Sequence, residues 1–304
     1  MLNKVLITGG AGFIGSHIVD KLLENNYSVV VLDNLSSGTK ANLQSSSDLK
    51  FYCINIEKDD LDKIFEIEKP DYVVHLAAQT SVNYSISNPY IDADMNILST
   101  IKLLEICKKH SIKKFIAASS AAVYGNPKYL PIDEQHPAEP MSPYGLSKLT
   151  MEKYIQFSDI PYVIFRFSNA YGPRQRSSKE SGVVAIFDNA MKEERQINIY
   201  GDGTQIRDFI YVEDIADICV KTLKFDIKNE VINFSTNKGV TLNELLEEMS
   251  KIYRYGLKAN YLPERAGDIK DSILSNKKAL AIFNGIDFTK LSDGLKKLKE
   301  HVYG

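Results

Sequence analysis

The sequence lacks the features that mark several common classes of protein. Its 304 residues carry a formal net charge of −2, so no electrostatic argument favours binding to nucleic acid or to an anionic membrane surface. The three cysteines, Cys53, Cys107 and Cys219, are far apart and form no metal-type pair; we interpret them as buried, reduced thiols. No apolar run approaches the roughly 18 residues needed to span a bilayer.

We therefore expect a globular protein that binds neither nucleic acid nor a membrane. With 44% hydrophobic and 25% charged residues, the composition is ordinary for such a protein. The first strand-like run begins at Lys4, so we expect no signal peptide and a cytoplasmic location.

Short apolar runs alternate with amphipathic stretches through the first half of the chain. The runs predict strands at Val5–Thr8, Ser28–Leu32, Leu49–Cys53, Tyr72–Leu76, Lys114–Ser119 and Tyr162–Phe167. The stretches predict helices at Ile14–Glu24, Asp60–Glu68, Asp92–His110 and Tyr144–Phe157. Such alternation indicates an α/β fold with a doubly wound, Rossmann-type parallel sheet.

The pattern changes after Phe167, which predicts a second region. We assign residues 1–168 to the Rossmann domain, with a returning segment near 205–235, and residues 169–304 to a smaller mixed α/β domain. Within the second region, Thr241 and Glu244 form a capping-box sequence that predicts a helix start.

A glycine turn follows the first predicted strand. Gly9, Gly12 and Gly15 stand between that strand and the next helix, a context in which glycines let the backbone approach a pyrophosphate. Asp33 follows the second strand, where a carboxylate can bind a ribose 2′-hydroxyl and would repel a 2′-phosphate. We therefore predict NAD rather than NADP. The alternatives are a tight turn without a ligand and, for Asp33, a loop cap.

Tyr144 and Lys148 are four residues apart in a predicted helix, so their side chains share one face. A nearby ammonium favours phenolate over phenol, which makes Tyr144 a candidate base below its usual pKa of about 10. Ser120 lies at the carboxyl edge of the predicted sheet, where such sheets bind ligands, and can present its hydroxyl beside Tyr144. The alternative is a surface pair beside a polar strand end.

A second pair with the same spacing, Tyr124 and Lys128, encloses Gly125 and Pro127. A continuous helix face is not expected there, because proline and glycine interrupt helices.

Eight ordered blocks of sequence occur along the chain: Thr8–Gly15, Asp33–Leu35, His75–Gln79, Ser119–Gly125, Tyr144–Lys148, Asn169–Gln175, Gly201–Asp214 and Arg265–Asp268. Together they resemble the nucleotide-sugar epimerase/dehydratase family of extended short-chain dehydrogenases/reductases, and most closely its UDP-hexose 4-epimerases. The resemblance extends over essentially the whole chain. It implies an NAD-dependent enzyme whose smaller domain binds a nucleotide sugar.

The resemblance also implies cofactor contacts. The residues that correspond to pyrophosphate contacts are Gly9, Gly12, Phe13, Ile14 and Gly15, and those at the adenosine are Asp33, Asn55 and Ile56. The residues on the nicotinamide side are Leu76, Ala77, Ala78 and Lys148, and further cofactor contacts are Asn34, Asn96, Ser119 and Tyr144. The family more often has aspartate at position 55. Lys148 would bind the nicotinamide ribose and lower the pKa of Tyr144, and Ser120 would hold or relay the proton of the sugar 4-hydroxyl.

The two residues after Ser120 differ between family members that catalyse different reactions. Sugar 4,6-dehydratases carry an Asp-Glu pair there, whereas this chain has Ala121 and Ala122, so elimination would have no proton-transfer partner. We therefore expect 4-epimerisation of a UDP-hexose. Tyr144 takes the 4-hydroxyl proton, hydride passes from C4 to NAD, and the 4-keto sugar turns and receives the hydride on its other face.

For the substrate, the resemblance implies that Arg207 and Arg265 bind the diphosphate, Asn169 a phosphate, and that Tyr200 stacks near the base. Ser272 corresponds to a gatekeeper, which is a bulky tyrosine in epimerases restricted to UDP-glucose and UDP-galactose. A serine there predicts that UDP-GlcNAc and UDP-GalNAc are also accepted. The alternative is a small residue in a shifted loop, and uridine over thymidine rests on the resemblance alone.

Two other functions stay open. A UDP-glucuronate 4-epimerase or decarboxylase would need a cation for the sugar carboxylate, which Arg174, Arg176 or Lys179 could supply. A non-catalytic NAD-binding regulator is disfavoured by the intact serine, tyrosine and lysine.

The resemblance further implies a homodimer in which the helices Asp92–His110 and Tyr144–Phe157 of each copy form a four-helix bundle. An apolar stripe on the helix Asp92–His110 would supply contacts between the two copies. An apolar stripe that faces the sheet of the same copy would have the same spacing in the sequence. The residues of this stripe are Ile97, Ile101, Leu104 and Cys107.

Overall fold

A computed structural model describes residues 3–176, 182–254, 259–264 and 269–301. Its strands in chain order are β1 (Lys4–Thr8), β2 (Ser28–Asp33), β3 (Leu49–Cys53), β4 (Tyr72–His75), β5 (Lys114–Ser120), β6 (Tyr162–Phe167), β7 (Asn169–Tyr171), β8 (Ile197–Tyr200), β9 (Ile206–Tyr211), β10 (Glu230–Phe234), β11 (Gly239–Thr241), β12 (Ala259–Leu262) and β13 (Asp271–Ser272). Its α-helices are α1 (Phe13–Glu24), α2 (Leu61–Glu68), α3 (Val82–Ser87), α4 (Pro89–Ala93), α5 (Ser99–Lys109), α6 (Pro143–Phe157), α7 (Val183–Lys192), α8 (Val212–Lys224), α9 (Leu242–Tyr253), α10 (Lys277–Ile282) and α11 (Leu291–Glu300).

Seven strands form one parallel sheet in the order β3-β2-β1-β4-β5-β6-β10. The six strands predicted in the first half all belong to it, and their ends agree with the predicted ones to within one residue. The direction of winding reverses between β1 and β4, which places a ligand crevice at the carboxyl ends of these strands. The doubly wound Rossmann-type sheet is therefore confirmed.

The central strands are buried because helices cover both faces of the sheet. In β2, Val29 and Val31 pack in an apolar cluster with α1 and α8, whereas Val30 and Leu32 pack in a second cluster with α2, α5 and α6. None of these four side chains is exposed. Burial on both faces explains why the strands appear in the sequence as continuous apolar runs rather than as alternating patterns.

The remaining strands form smaller sheets. In one of them β9 pairs with β7, β11 and β13, and in the other β8 pairs with β12. Helices α7, α9 and α11 surround an apolar cluster in this region. The predicted capping box is present at the start of α9: Thr241 accepts a hydrogen bond from the Glu244 amide, and the Glu244 carboxylate accepts one from the Thr241 amide. The domain boundary at residue 168 stays a prediction.

Three expectations are corrected. The predicted helix Asp92–His110 is the end of α4, a π-helical turn (Asp94–Leu98) and α5. Cys53 is exposed, because it ends the edge strand β3, whereas Cys107 and Cys219 are buried as expected. Burial raises the pKa of the Cys219 thiol to about 12, so this thiol is inert.

The third correction concerns the stripe proposed for dimer contacts. Leu104 and Cys107 lie in the apolar cluster beneath the sheet, so this half of the stripe faces the sheet instead of a partner. In the part of the chain that the structure describes, every helix is too short or too polar to cross a membrane.

Candidate active site

The glycine turn between β1 and α1 is a tight backbone loop. Gly9 has a φ of 71°, and its amide donates to the Leu32 carbonyl at 2.8 Å. A Cβ at Gly15 would lie 2.2 Å from the Gly9 carbonyl oxygen, so only glycine fits there. Gly12 caps α1 without a side-chain hydrogen bond, which leaves the first amides of the helix without a side-chain cap, as an anion site requires.

Asp33 connects this turn to the adjacent strand. Its Oδ2 accepts a hydrogen bond from the Ala11 amide at 2.9 Å, and its Oδ1 accepts one from the Leu35 amide at 2.8 Å. The carboxylate is therefore fixed beside the glycine turn at the end of β2. Asn34 and Asn55, which were also predicted to lie at the adenosine end, use their side-chain oxygens to cap the amides of local turns.

The loop after β4 contains Leu76, Ala77 and Ala78. Thr8 Oγ1 accepts hydrogen bonds from the Leu76 and Ala77 amides, both at 3.2 Å, and is 2.7 Å from His75 Nδ1. Burial, together with the nearby Lys148 ammonium, lowers the pKa of His75 to about 3. A neutral histidine thus holds this loop in place beside the glycine turn.

Helix α6 presents the predicted tyrosine and lysine. Its start is well defined, because the Ser142 hydroxyl accepts a hydrogen bond from the Gly145 amide at 3.1 Å and Pro143 occupies the first turn. The Tyr144 amide donates to Ser85 Oγ at 3.1 Å, and Lys148 Nζ donates to the Ala118 carbonyl at 3.0 Å. These bonds set the helix against the end of β5.

The ionisation of this pair differs from the expectation. Burial raises the pKa of Tyr144, and a hydrogen bond with Ser120 lowers it in part. Burial lowers the pKa of Lys148 to about 8. In the protein alone the pKa of Tyr144 is therefore raised and not lowered as predicted, because desolvation of the phenolate is the largest influence on it.

Ser119 stays a predicted cofactor contact, and its hydroxyl belongs to a buried network. It donates to Glu152 Oε1 at 2.5 Å, and Glu152 accepts two hydrogen bonds from Arg166 at 2.9 and 2.6 Å. Arg166 Nη1 also donates to the Tyr124 hydroxyl at 2.9 Å. The sequence alone does not distinguish a buried charged residue from a surface one, so Glu152 of α6 and Arg166 of β6 were missed.

The same network explains why the second tyrosine–lysine pair is not catalytic. Tyr124 is fully buried, its hydroxyl donates to Asn233 at 2.7 Å, and burial raises its pKa to about 12. Lys128 is exposed and forms an ion pair with Glu139 at 2.6 Å. The chain leaves the short 3-10 turn at Tyr124, so the two side chains share no helix face.

Asn96, a predicted cofactor contact, lies in the π-helical turn and is buried. Its Oδ1 accepts a hydrogen bond from the Gln79 amide at 2.8 Å, and its Nδ2 lies 3.0 Å from the Gln79 carbonyl and 3.1 Å from Ser147 Oγ. The amide therefore joins the loop after β4 to α6.

Besides Ser120, four predicted substrate residues lie within the described part of the chain. Asn169 is in β7, Tyr200 ends β8, and Arg207 is in β9 beside Ser272 of β13, its partner in the parallel register. Arg207 Nη1 donates to two backbone carbonyls at 2.8 and 2.9 Å. Arg265 lies outside the described residues.

Comparison with known proteins agrees with this geometry. Residues 5–234 match the model of the NAD dependent epimerase/dehydratase family. The UDP-glucose 4-epimerase of Thermotoga maritima, solved with UDP-glucose, is 41% identical with a TM-score of 0.92, and the match covers 98% of this chain and 97% of that one.

Two further structures have similar overlap. A UDP-N-acetylglucosamine 4-epimerase from Methanobrevibacter ruminantium, in complex with UDP-N-acetylmuramic acid, is 37% identical with a TM-score of 0.93 over 99% of this chain and 98% of that one. The UDP-glucuronic acid 4-epimerase from Bacillus cereus, with UDP-glucuronic acid and NAD, is 34% identical with a TM-score of 0.90 over 98% of each chain. The chain therefore belongs to the NAD-dependent epimerase/dehydratase family and is an NAD-dependent isomerase similar to UDP-glucose 4-epimerases.

The residues of the crevice fit NAD. The first turn of α1 has no side-chain cap and can receive the pyrophosphate. The carboxylate of Asp33 is fixed at the end of β2, where it can bind an unphosphorylated ribose. The buried Lys148 ammonium lies beside Ala118, at the carboxyl end of β5, where a nicotinamide ribose would lie in such a sheet.

Proposed function

We propose that this chain is a UDP-sugar 4-epimerase that interconverts UDP-GlcNAc and UDP-GalNAc as well as UDP-glucose and UDP-galactose. The observation that carries the proposal is the hydrogen bond from Lys148 Nζ to the Ala118 carbonyl, which brings α6, with Tyr144 one helical turn before Lys148, to the end of β5 beside Ser120. It places a proton acceptor and a hydroxyl donor together at the carboxyl edge of the sheet, next to the crevice for NAD.

In this proposal, each residue of the site has a separate task. Tyr144 accepts the proton of the sugar 4-hydroxyl, and Ser120 holds the same oxygen. Lys148 contributes a positive charge that favours the phenolate once its ammonium is protonated. NAD, held at the glycine turn and Asp33, would supply a hydride acceptor and donor for C4 of the sugar.

The position of the alanines supports epimerisation over dehydration. Ala121 and Ala122 lie in the 3-10 turn after Ser120, and the Ser120 hydroxyl accepts a hydrogen bond from the Ala122 amide at 3.1 Å. A dehydratase would need an acid and a base on this turn to move protons at C5 and C6. Methyl groups at both positions limit the chemistry to C4.

Ser272 supports the proposed acceptance of N-acetylated sugars. This residue is only partly buried and lies in register with Arg207, the predicted diphosphate ligand. A small side chain beside a diphosphate ligand leaves room for an acetamido group next to the sugar. A tyrosine at the same place would fill that space.

The experiment compares wild type with Ser272→Tyr. Each protein is incubated with UDP-GlcNAc, UDP-glucose or UDP-glucuronate, with NAD present, and the products are resolved by proton NMR. We expect wild type to form UDP-GalNAc and UDP-galactose, and the variant to lose UDP-GalNAc formation while it retains UDP-galactose formation. Equal losses with both substrates would contradict the gatekeeper role, and no product from either would contradict the epimerase.

A UDP-glucuronate 4-epimerase is the second candidate, because the chain is similar to the enzyme from Bacillus cereus that bears this name. The structure offers it less support. Arg174 forms an ion pair with Asp20 of α1 at 2.7 Å, so this guanidinium is already engaged, and Lys179 lies outside the described residues. Conversion of UDP-glucuronate alone in the same experiment would favour this candidate.

We also propose a homodimer. Exposed apolar side chains lie on α3, α4, the π-helical turn and α6, elements that pack against one another. Tyr90 and Phe157 are 79% and 78% exposed, which is costly for such large side chains in water. Light scattering after gel filtration should give twice the 34.2 kDa chain mass, and Phe157→Glu should give the monomer.

A further inference from the structure

A buried carboxylate that the mechanism does not use lies behind the tyrosine–lysine pair. Asp92 ends α4 and is 1% exposed. Its Oδ1 accepts hydrogen bonds from Gln79 Nε2 at 2.7 Å and from Asn96 Nδ2 at 3.2 Å. Among the described residues no lysine or arginine lies within ion-pair distance of it, so its direct contacts are with amide donors. Burying an ionised carboxylate costs folding free energy unless the charge is paired or hydrogen-bonded.

The side-chain amides of Gln79 and Asn96, which donate hydrogen bonds to Asp92, lie on the two sides of the crevice. Gln79 ends the loop of Ala77 and Ala78, which faces the predicted nicotinamide position. Asn96 bridges that loop to α6, because its Nδ2 lies 3.1 Å from Ser147 Oγ. The Ser147 hydroxyl in turn donates to the Tyr144 carbonyl at 2.9 Å. One carboxylate therefore fixes the distance between the cofactor loop and the turn that carries Tyr144.

The π-helical turn contributes to this arrangement. A π turn inserts one extra residue into a helix, which rotates the side chains before it relative to those after it. Here the turn begins at Asp94, two residues after Asp92, and contains Asn96. Asp92 lies just before the turn and Asn96 within it, and a hydrogen bond joins their buried side chains.

We propose that Asp92 is a positioning residue for the reaction at Tyr144: its carboxylate ties the cofactor loop to α6 through Gln79 and Asn96. The same carboxylate is a buried charge close enough to act on the tyrosine–lysine pair. The inference rests on the proposed function, since it assigns a task within that site.

The charge of Asp92 acts on the pair together with neighbouring titratable groups. From β4, His75 is neutral, because burial lowers its pKa to about 3. From α6, Glu152 accepts two hydrogen bonds from Arg166 of β6 and also raises the pKa of Lys148. Burial is the largest influence on both members of the pair, since it raises the pKa of Tyr144 and lowers that of Lys148, and Asp92 raises both. Its charge therefore favours the protonated form of each residue.

The test uses Asp92→Asn, which keeps the shape and an oxygen acceptor but removes the charge. Asp94→Asn, a partly exposed carboxylate two residues along the chain, is the matched control. Protein labelled with 13C at tyrosine Cζ is titrated with NAD present, and the Tyr144 signal is identified by its loss in Tyr144→Phe. We expect the Tyr144 midpoint to fall in Asp92→Asn and to stay unchanged in Asp94→Asn.

Kinetics give the second readout. In Asp92→Asn the acidic limb of the kcat/KM profile should move to lower pH, whereas Asp92→Ala, which also removes the hydrogen bonds, should lose roughly 10- to 100-fold in kcat. An unchanged Tyr144 midpoint in Asp92→Asn, or an equal shift in Asp94→Asn, would overturn the proposal. The NMR titration needs no turnover. A lower midpoint with no product from any UDP-sugar would thus refute the proposed function while the role of Asp92 stands.

Discussion

Lys148 Nζ donates a hydrogen bond of 3.0 Å to the carbonyl oxygen of Ala118. The bond joins the first turns of α6 to the end of β5, two residues before Ser120. It therefore sets the position of Tyr144 relative to Ser120 before any ligand binds. Most of the expected behaviour of the site follows from this fixed arrangement and from the burial around it.

The two tyrosine–lysine pairs predict opposite effects of the same substitution. Tyr144→Phe removes the proton acceptor and should lower kcat by roughly 100- to 10,000-fold without loss of fold. Tyr124→Phe removes the buried hydroxyl that bonds to Arg166 Nη1 and Asn233 Oδ1, so we expect a loss of about 1–3 kcal/mol in the free energy of unfolding with kcat retained. Urea unfolding and steady-state kinetics of both variants make the comparison. Equal loss of kcat in the two would refute the assignment.

The glycine turn allows a second matched pair. A Cβ at Gly15 would meet the Gly9 carbonyl oxygen at 2.2 Å, whereas a Cβ at Gly12 would lie 3.2 Å from the same oxygen and, within the described ranges, close to no other side chain or distant backbone atom. Gly15→Ala should therefore destabilise the fold by about 2 kcal/mol or more. Gly12→Ala should fold but lose at least tenfold in NAD affinity, about 1.4 kcal/mol, because its methyl group faces the predicted pyrophosphate. Thermal unfolding and calorimetric titration with NAD separate the two effects.

Asp33 should control the choice of dinucleotide. In Asp33→Asn the charge that would repel a 2′-phosphate is lost, while the side chain retains one oxygen acceptor for the neighbouring amides. We expect the preference for NAD over NADP to fall about tenfold or more. Asp48→Asn, an exposed change in the loop before β3, controls for net charge. If the two dinucleotides bind Asp33→Asn with the wild-type ratio, Asp33 is only a loop cap.

The buried Lys148 ammonium should lower the stability of the folded protein, although the proposed reaction uses its positive charge. Its pKa falls to about 8 in the folded protein, below the value near 10.4 of an unfolded chain. The unfolded state therefore binds more protons between these values, and stability rises with pH there. At pH 7, without NAD, Lys148→Met should be more stable than wild type by about 2–3 kcal/mol, and the gain should vanish by about pH 10–11. Urea unfolding at each pH measures both; a variant less stable at pH 7 would contradict the burial argument.

The sequence predicts the sheet better than it predicts the polar interior. Strands such as β2 are buried on both faces, so their position follows from continuous apolar runs. The glycine turn and Tyr144 are recognisable because their spacing reflects a local backbone requirement. Asp92, by contrast, resembles a charge on a helix surface. Only the packing of distant segments buries it.

Other differences have the same origin. The π-helical turn cannot be seen in a pattern of apolar residues, so α4 and α5 were predicted as one helix. Leu104 and Cys107 fit a dimer stripe and a sheet-facing stripe equally well, and the structure assigns them to the sheet. Ser119 and Ser120 are adjacent and polar, yet Ser119 bonds to Glu152 and Ser120 to Tyr144, because successive side chains of a strand point to opposite faces.

The most direct test follows the hydrogen at C4. Wild-type protein is incubated with NAD and a UDP-hexose that carries deuterium at C4, and the product is analysed by proton NMR and mass spectrometry. The account predicts the 4-epimer with its deuterium retained at C4, because the hydride is passed to bound NAD and returned without meeting water. Formation of the epimer with protium at C4, or the absence of any epimer, would contradict it.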